Sequence, residues 1–197
     1  MIQYIHSSDC SQQEILQYLH QISFIEKNTY GFSSYRNEEF LYSLYQKNPF
    51  SFFFAIEKSQ IIAYVDIWSL NFQLYYDLLF EKTLEENFSI FDLAPLDNPF
   101  QPFWYIGSFI VLEKYQNSMV YNYLAYILWN YLYQKNYLFP IHIFGVASSP
   151  QGALMMEKWK FKNLHTTTSK PRYERIFFHV SELLELKNKY QQKIISC

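Results

Sequence analysis

The stretch YQNSMVYNYLAYILWNYL, residues 115–132, follows the apolar run FWYIGSFIVLEK at 103–114. Its later part places apolar side chains at 120, 124, 127, 128 and 131, the spacing of a helix with one packed face. Its first six residues then occupy a strand-to-helix turn. Such a turn suits an anion, because the first N–H groups of a helix lack intrahelical partners and lie at the positive end of the helix dipole. Turns that hold phosphate usually rely on glycine, and this one has none.

The sequence on either side turns this stretch into a βαβ unit. The spacing predicts a strand at 103–112, a helix at 117–135 and a strand at 141–148, IHIFGVAS. A right-handed crossover of this length makes the two strands parallel. Ligands of open sheets bind at the carboxyl ends of such strands, here Val111–Gln116 and Ala147–Pro150.

Upstream, residues 9–27 carry Ile15, Leu16, Leu19 and Ile22 at helical spacing after Asp9 and Ser11, and Asn37 caps a shorter helix that stops at Pro49. Two β-rich runs, 51–56 and 61–68, flank the polar turn Glu57–Gln60 as an antiparallel hairpin. A helix at 74–87 and a Pro- and Asp-rich loop to about Pro102 read as an insertion at 71–102. A short helix at 150–159 and a strand at 174–180 follow the parallel pair. The expectation is one domain over residues 1–197, of mixed α/β class (α+β type), with a mostly antiparallel twisted sheet, one parallel pair and flanking helices.

Composition narrows the function classes. Aromatic residues make up 21% of the chain and charged residues 17%, with a formal charge of −2, so a nucleic-acid footprint is not expected. The two cysteines, Cys10 and Cys197, predict no disulfide framework or metal cluster. The N-terminus lacks the basic and apolar regions of a secretory signal, and the most apolar stretch, 103–112, is too short to span a bilayer, so a cytoplasmic protein without a membrane partner is expected. P-loop, H-E-x-x-H, G-x-S-x-G and Rossmann glycine patterns are all missing from the sequence. An exposed aromatic rim around 68–76 and 99–105 would line an apolar pocket or favour a homodimer.

The order of elements, the F-I-V of 109–111, the Y-Q-N-S-M-V turn and the stretch SSPQGALMMEKWKF resemble the GNAT superfamily of acyl-CoA-dependent N-acyltransferases over roughly residues 10–180. The resemblance implies that the strand before the turn splays from its parallel neighbour and that the backbone of Phe109, Ile110 and Val111 holds the pantetheine arm of acetyl-CoA or another acyl-CoA. It further implies that Gln116, Asn117, Ser118, Met119, Val120 and Tyr121 wrap the pyrophosphate. Met119 and Tyr121 stand where the family has small residues, and Met156 stands where it often has a general-acid tyrosine.

Amine acylation also needs groups that move protons. Asp66, Tyr105 and Ser149 are the catalytic candidates, with Ser108, Glu113 and His142 also near the expected cleft. Each has a plainer reading as well: Asp66 as a solvated charge, Tyr105 as aromatic packing and Ser149 as a helix cap. The resulting expectation is transfer of an acyl group from acetyl-CoA to a primary amine. The alternatives are a catalytically silent binding module on the same fold and a scaffold with no CoA site.

Overall fold

The computed structural model describes residues 1–31, 36–80, 82–83, 87–94, 103–135, 141–166, 175–180 and 183–196. In chain order these form β1 (Ile2–His6), α1 (Gln12–Tyr30), α2 (Glu38–Lys47), β2 (Phe52–Glu57), β3 (Gln60–Ser69), α3 (Phe72–Leu79), β4 (Phe103–Val111), α4 (Val120–Gln134), β5 (His142–Ala147), α5 (Pro150–Lys158), β6 (Lys162–Thr166), β7 (Arg175–Val180) and α6 (Leu183–Ile195). The strands make one seven-stranded sheet in the order β1-β2-β3-β4-β5-β7-β6. Every neighbouring pair is antiparallel except β4 and β5, which are parallel.

Local chemistry sets the ends of these elements. Ser11 and Glu14 close a capping box on α1, while Asn37 and Asn71 cap α2 and α3. The β2–β3 loop is only Lys58 and Ser59, whose φ angles of 50° and 61° give the twist that a two-residue hairpin needs. The hairpin, the first two helices and the βαβ unit stand where the sequence puts them, with some boundaries moved. Helix α1 runs 12–30 rather than 9–27, α3 is the shorter 72–79 rather than 74–87, and α4 begins at Val120 rather than 117. Residues 81, 84–86 and 95–102 of the expected insertion lie outside the described residues. Strands β1 and β6 and helix α6 have no counterpart in the sequence reading.

The sheet separates two cores. On one side α4 and α6 bury Val120, Leu124, Leu128, Leu132, Leu183 and Leu186 against Ala63, Val65, Ile67, Trp104 and Ile106. On the other, α1, α2 and α3 bury Ile15, Ile22, Leu41, Leu44 and Leu74 against Phe52, Phe54, Tyr64, Trp68 and Tyr105. Each fully buried side chain of this size contributes roughly 1.5–3 kcal/mol of transfer free energy. Both faces of the sheet are therefore committed to packing.

Strand β4 carries the irregularity that matters most. Asp66 pairs with Ser108 but Ile67 pairs with Ile106, which leaves Gly107 as a bulge. The bulge exchanges the two faces: Trp104 and Ile106 look toward α4 before it, Phe109 and Val111 after it. The parallel pairing to β5 stops at the same place, with Ile106 opposite Gly145 as its last partners. From Gly107 onward β4 keeps β3 but has lost β5.

Candidate functional site

A cleft of about 740 Å³ opens where β4 and β5 part. Its walls are the splayed end of β4, Gly107 to Val111, and the end of β5 with its following turn, Val146 to Ser149. Thr29 and Tyr30 of α1, Gln116 of the β4–α4 turn and Tyr121 and Asn122 of the first turn of α4 also line it. The volume lies in the range that holds small ligands.

The strand edge facing this space has polar groups to offer. The N–H of Leu112 donates to the Ile62 carbonyl at 2.9 Å, so Leu112 bonds toward β3. Alternation along the strand then turns the main-chain groups of Val111 and Phe109 the other way, toward the gap left by β5. The Val111 carbonyl there accepts from Gln116 Nε2 at 3.2 Å, which folds the turn back over the strand end. An edge of this kind pairs readily with an extended amide-bearing chain.

The turn after it needs no glycine to keep its shape. Among the described residues, only Lys58, Ser59, Lys160 and Gly31 have positive φ, and Gln116 and Met119 have φ of −61° and −70°. Ser118 stands in for a cap: its hydroxyl donates to the Tyr115 carbonyl at 2.6 Å and accepts from Val120 N–H at 3.3 Å. Met119, the residue before α4, provides no side-chain cap, so beyond the Val120 N–H that Ser118 meets, the first turn of α4 suits an incoming anion.

Tyr121 leaves the turn sideways. Its hydroxyl meets that of Tyr190 on α6 at 2.9 Å, and its ring lies parallel to Trp159 at 6.4 Å and 5.4 Å from Phe109. Trp159 Nε1 donates to the same Tyr190 hydroxyl at 2.7 Å. Burial and the neighbouring Tyr190 raise the Tyr121 pKa, so the phenol stays neutral. These four rings join the ends of β4 and α5 to the start of α4 and to α6.

Behind the bulge lies a buried ionic network. Arg36, between α1 and α2, donates to Asp66 at 2.5 and 3.0 Å, to Ser108 Oγ at 2.8 Å and to Glu26 through Nε at 3.1 Å and through a closer contact from its Nη2. Trp68 Nε1 adds a bond to Asp66 at 2.6 Å, and Tyr64 adds one to Glu26 at 2.9 Å. For Glu26, burial acts upward, but Arg36 and Tyr64 outweigh it and hold the carboxyl below its ordinary pKa. For Asp66, burial outweighs the pull of Arg36 and raises it. A Cβ at Gly107 would lie 2.5 Å from Asp66 Oδ2 and 2.7 Å from Arg36, so the network and the bulge require each other.

Similarity to known folds now bears on this geometry. A scan against protein-family models finds no match, and no curated protein sequence matches. Solved structures do match. The loading GNATL domain of CurA from Lyngbya majuscula superposes with a TM-score of 0.66 at 12% identity, over 94% of this chain and 99% of that one. A GNAT-family acetyltransferase from Staphylococcus aureus Mu50 gives 0.59 at 12% identity, over 91% and 99%. Naa50 from Arabidopsis thaliana, solved with the bisubstrate analogue CoA-Ac-MVNAL, gives 0.54 at 11% identity, over 90% and 97%.

This chain has the GNAT fold. The mostly antiparallel sheet with one parallel, splaying pair is the architecture expected from the sequence. Phe109, Ile110, Val111, Gln116, Tyr121 and Ser149 line the cleft of that fold, whereas Asn117, Ser118, Met119 and Val120 lie in the turn beside it. Ser149 caps α5, accepting from Gly152 N–H at 3.1 Å. Asp66 and Tyr105 do not open on the cleft. Asp66 is fully buried in the Arg36 network, and Tyr105 is fully buried with its ring 5.4 Å from Trp68 and 5.2 Å from Phe88. Met156 is buried against Gly145.

Sequence reasoning missed Arg36 and the lining residues Lys189, Tyr190 and Lys193 from α6. Gly107 carried a readable signal, because an isolated glycine inside a strand pattern marks a bulge. Arg36 carried none, since its partners are 10 and 30 residues away in sequence.

Proposed function

We propose that this chain is an acyltransferase that passes an acetyl or related acyl group from acyl-CoA to a primary amine, within a single domain in which residues 71–102 are an insertion. The observation that carries the reading is the divided strand β4: its outer half has a free edge at the head of a cleft, beside the start of α4, where Met119 makes no side-chain cap. The main chain of Phe109 and Val111 holds the amide-bearing arm as an added strand. The turn at Gln116–Tyr121 receives phosphate through backbone N–H groups.

The acceptor enters beside Thr29 and Tyr30. In the transfer, the amine nitrogen bonds to the thioester carbonyl carbon, the C–S bond breaks, and the amine proton is lost to solvent. The cleft-facing N–H of Val111 stabilises charge on the carbonyl oxygen. Ser149 relays a solvent proton to the departing sulfur, taking one from water as it gives up its own, so that free thiol leaves and the hydroxyl is restored. Asp66, through Arg36 and Ser108, positions the strand end from behind.

Acetyl-CoA at a hundred times its dissociation constant should stabilise the chain by about 2.7 kcal/mol, read as a rise in melting temperature. No rise at millimolar acetyl-CoA or CoA rejects the reading. Met156 in place of an acidic hydroxyl favours a second reading, a binding module without turnover. Release of free thiol with a panel of amines separates the two: binding without thiol release selects the silent module.

A further inference from the structure

Beside the β4–α4 turn, where Tyr121 meets Tyr190, the cleft is also lined by basic residues. Lys158 at the end of α5 and Lys189 and Lys193, one turn apart on α6, all line the cleft. Lys189 Nζ donates to the Lys158 carbonyl at 2.8 Å, which fixes α6 against α5. The ammonium groups of Lys189 and Lys193 lie 5.9 and 4.9 Å from the centre of the Tyr190 ring, the ring whose hydroxyl also anchors Tyr121 and Trp159.

The arrangement concentrates charge of one sign. Lysines at i and i+4 on a helix repel each other. Among the described residues no carboxylate pairs with any of the three, although Lys160 at the same corner pairs with Glu185 at 2.6 Å. Partial burial, with Lys189 and Lys158 adding their repulsion, lowers the Lys193 pKa. A bound anion would relieve the repulsion.

We infer that Lys158, Lys189 and Lys193 form a phosphate site for the nucleotide end of the CoA thioester, supplied largely by the last helix. The inference rests on the acyltransferase reading for its ligand, and its chemistry is specific. With the pyrophosphate at the turn, the 3′-phosphate is the remaining dianion of the nucleotide end, and ammonium groups match it through charge-assisted hydrogen bonds. Tyr190 fixes the two α6 lysines at the cleft mouth through its ring.

Titration calorimetry on the full chain tests this, comparing wild type with the triple variant Lys158→Gln, Lys189→Gln, Lys193→Gln and with the triple Lys→Arg variant. The probes are CoA, 3′-dephospho-CoA, pantetheine and 3′,5′-ADP. The expected result is at least a tenfold loss of CoA affinity in the Gln variant, a smaller loss with 3′-dephospho-CoA, no change with pantetheine, and recovery in the Arg variant. Equal CoA and 3′,5′-ADP affinities in wild type and the Gln variant overturn the lysine site while leaving the acyltransferase reading intact. Lysine-dependent binding of 3′,5′-ADP without any CoA binding overturns the acyltransferase reading and keeps the site. Binding of neither probe to wild type overturns both.

Discussion

The two halves of β4 differ in what lies beside them. Phe103 to Ile106 have β3 on one side and β5 on the other, and Trp104, Tyr105 and Ile106 are buried. Phe109 to Val111 have only β3 and are half-buried. The inner half is ordinary core, and the outer half makes the cleft. The fold thus builds a site by withholding a strand neighbour from five residues that a continuous sheet would have paired. Gly107 and the Arg36 network behind it mark the boundary.

The largest test of that boundary is removal of its cation. Arg36→Leu leaves Glu26 and Asp66 buried as adjacent uncompensated carboxyls, and should cost about 3–5 kcal/mol in urea unfolding. A loss below about 1 kcal/mol would mean that the network is hydrated in solution. Next in size, Gly107→Val places carbon against Asp66, Arg36 and Trp68 and should cost about 1–3 kcal/mol, through overpacking that closes the bulge.

On the other wall of the cleft, Ser149→Ala removes the cap of α5 and should cost about 1 kcal/mol. If Ser149 also protonates the sulfur, kcat falls while the affinity for acetyl-CoA holds; equal kcat values would leave it a cap alone.

The smallest effect is a pH dependence in the paired half. His142 opens β5 opposite Phe103, its Nδ1 is 3.0 Å from the Tyr75 hydroxyl, and burial lowers its pKa below 6.5. The folded chain therefore binds fewer protons at this site than the unfolded chain. Its contribution is full above pH 6.5 and is lost as pH falls through the lowered value. Wild type should lose more stability than His142→Asn between pH 7 and pH 5, by a fraction of a kcal/mol; parallel curves would show that His142 makes no such contribution.

Much of this division was legible in the sequence. Periodicity in 115–132 fixed a helix after an apolar strand, and the strand at 141–148 made the crossover, because strand and helix periods differ enough to separate. The alternation of Val65, Asp66 and Ile67 also put Asp66 on the correct face of β3. What alternation could not say is that this face is covered, so that Asp66 meets Arg36 rather than water or substrate. Helix α6 was readable from Leu183, Leu186 and Tyr190 at i, i+3 and i+7, but the docking of its lysines on the cleft depends on tertiary contacts with Lys158, Tyr121 and Trp159. The glycine-free turn was ambiguous for a related reason. Its backbone stays right-handed, and Tyr121 finds partners on an element far along the chain.

Residue-resolved amide hydrogen exchange with and without acetyl-CoA tests the divided strand most directly. Without ligand, the amides of Trp104 to Ile106 should exchange slowly and those of Phe109 and Val111 quickly. Saturating acetyl-CoA should protect Phe109 and Val111 at least tenfold and leave Trp104 to Ile106 unchanged. Protection confined to other elements, or none at millimolar ligand, would contradict the claim that the outer half of β4 is the binding edge.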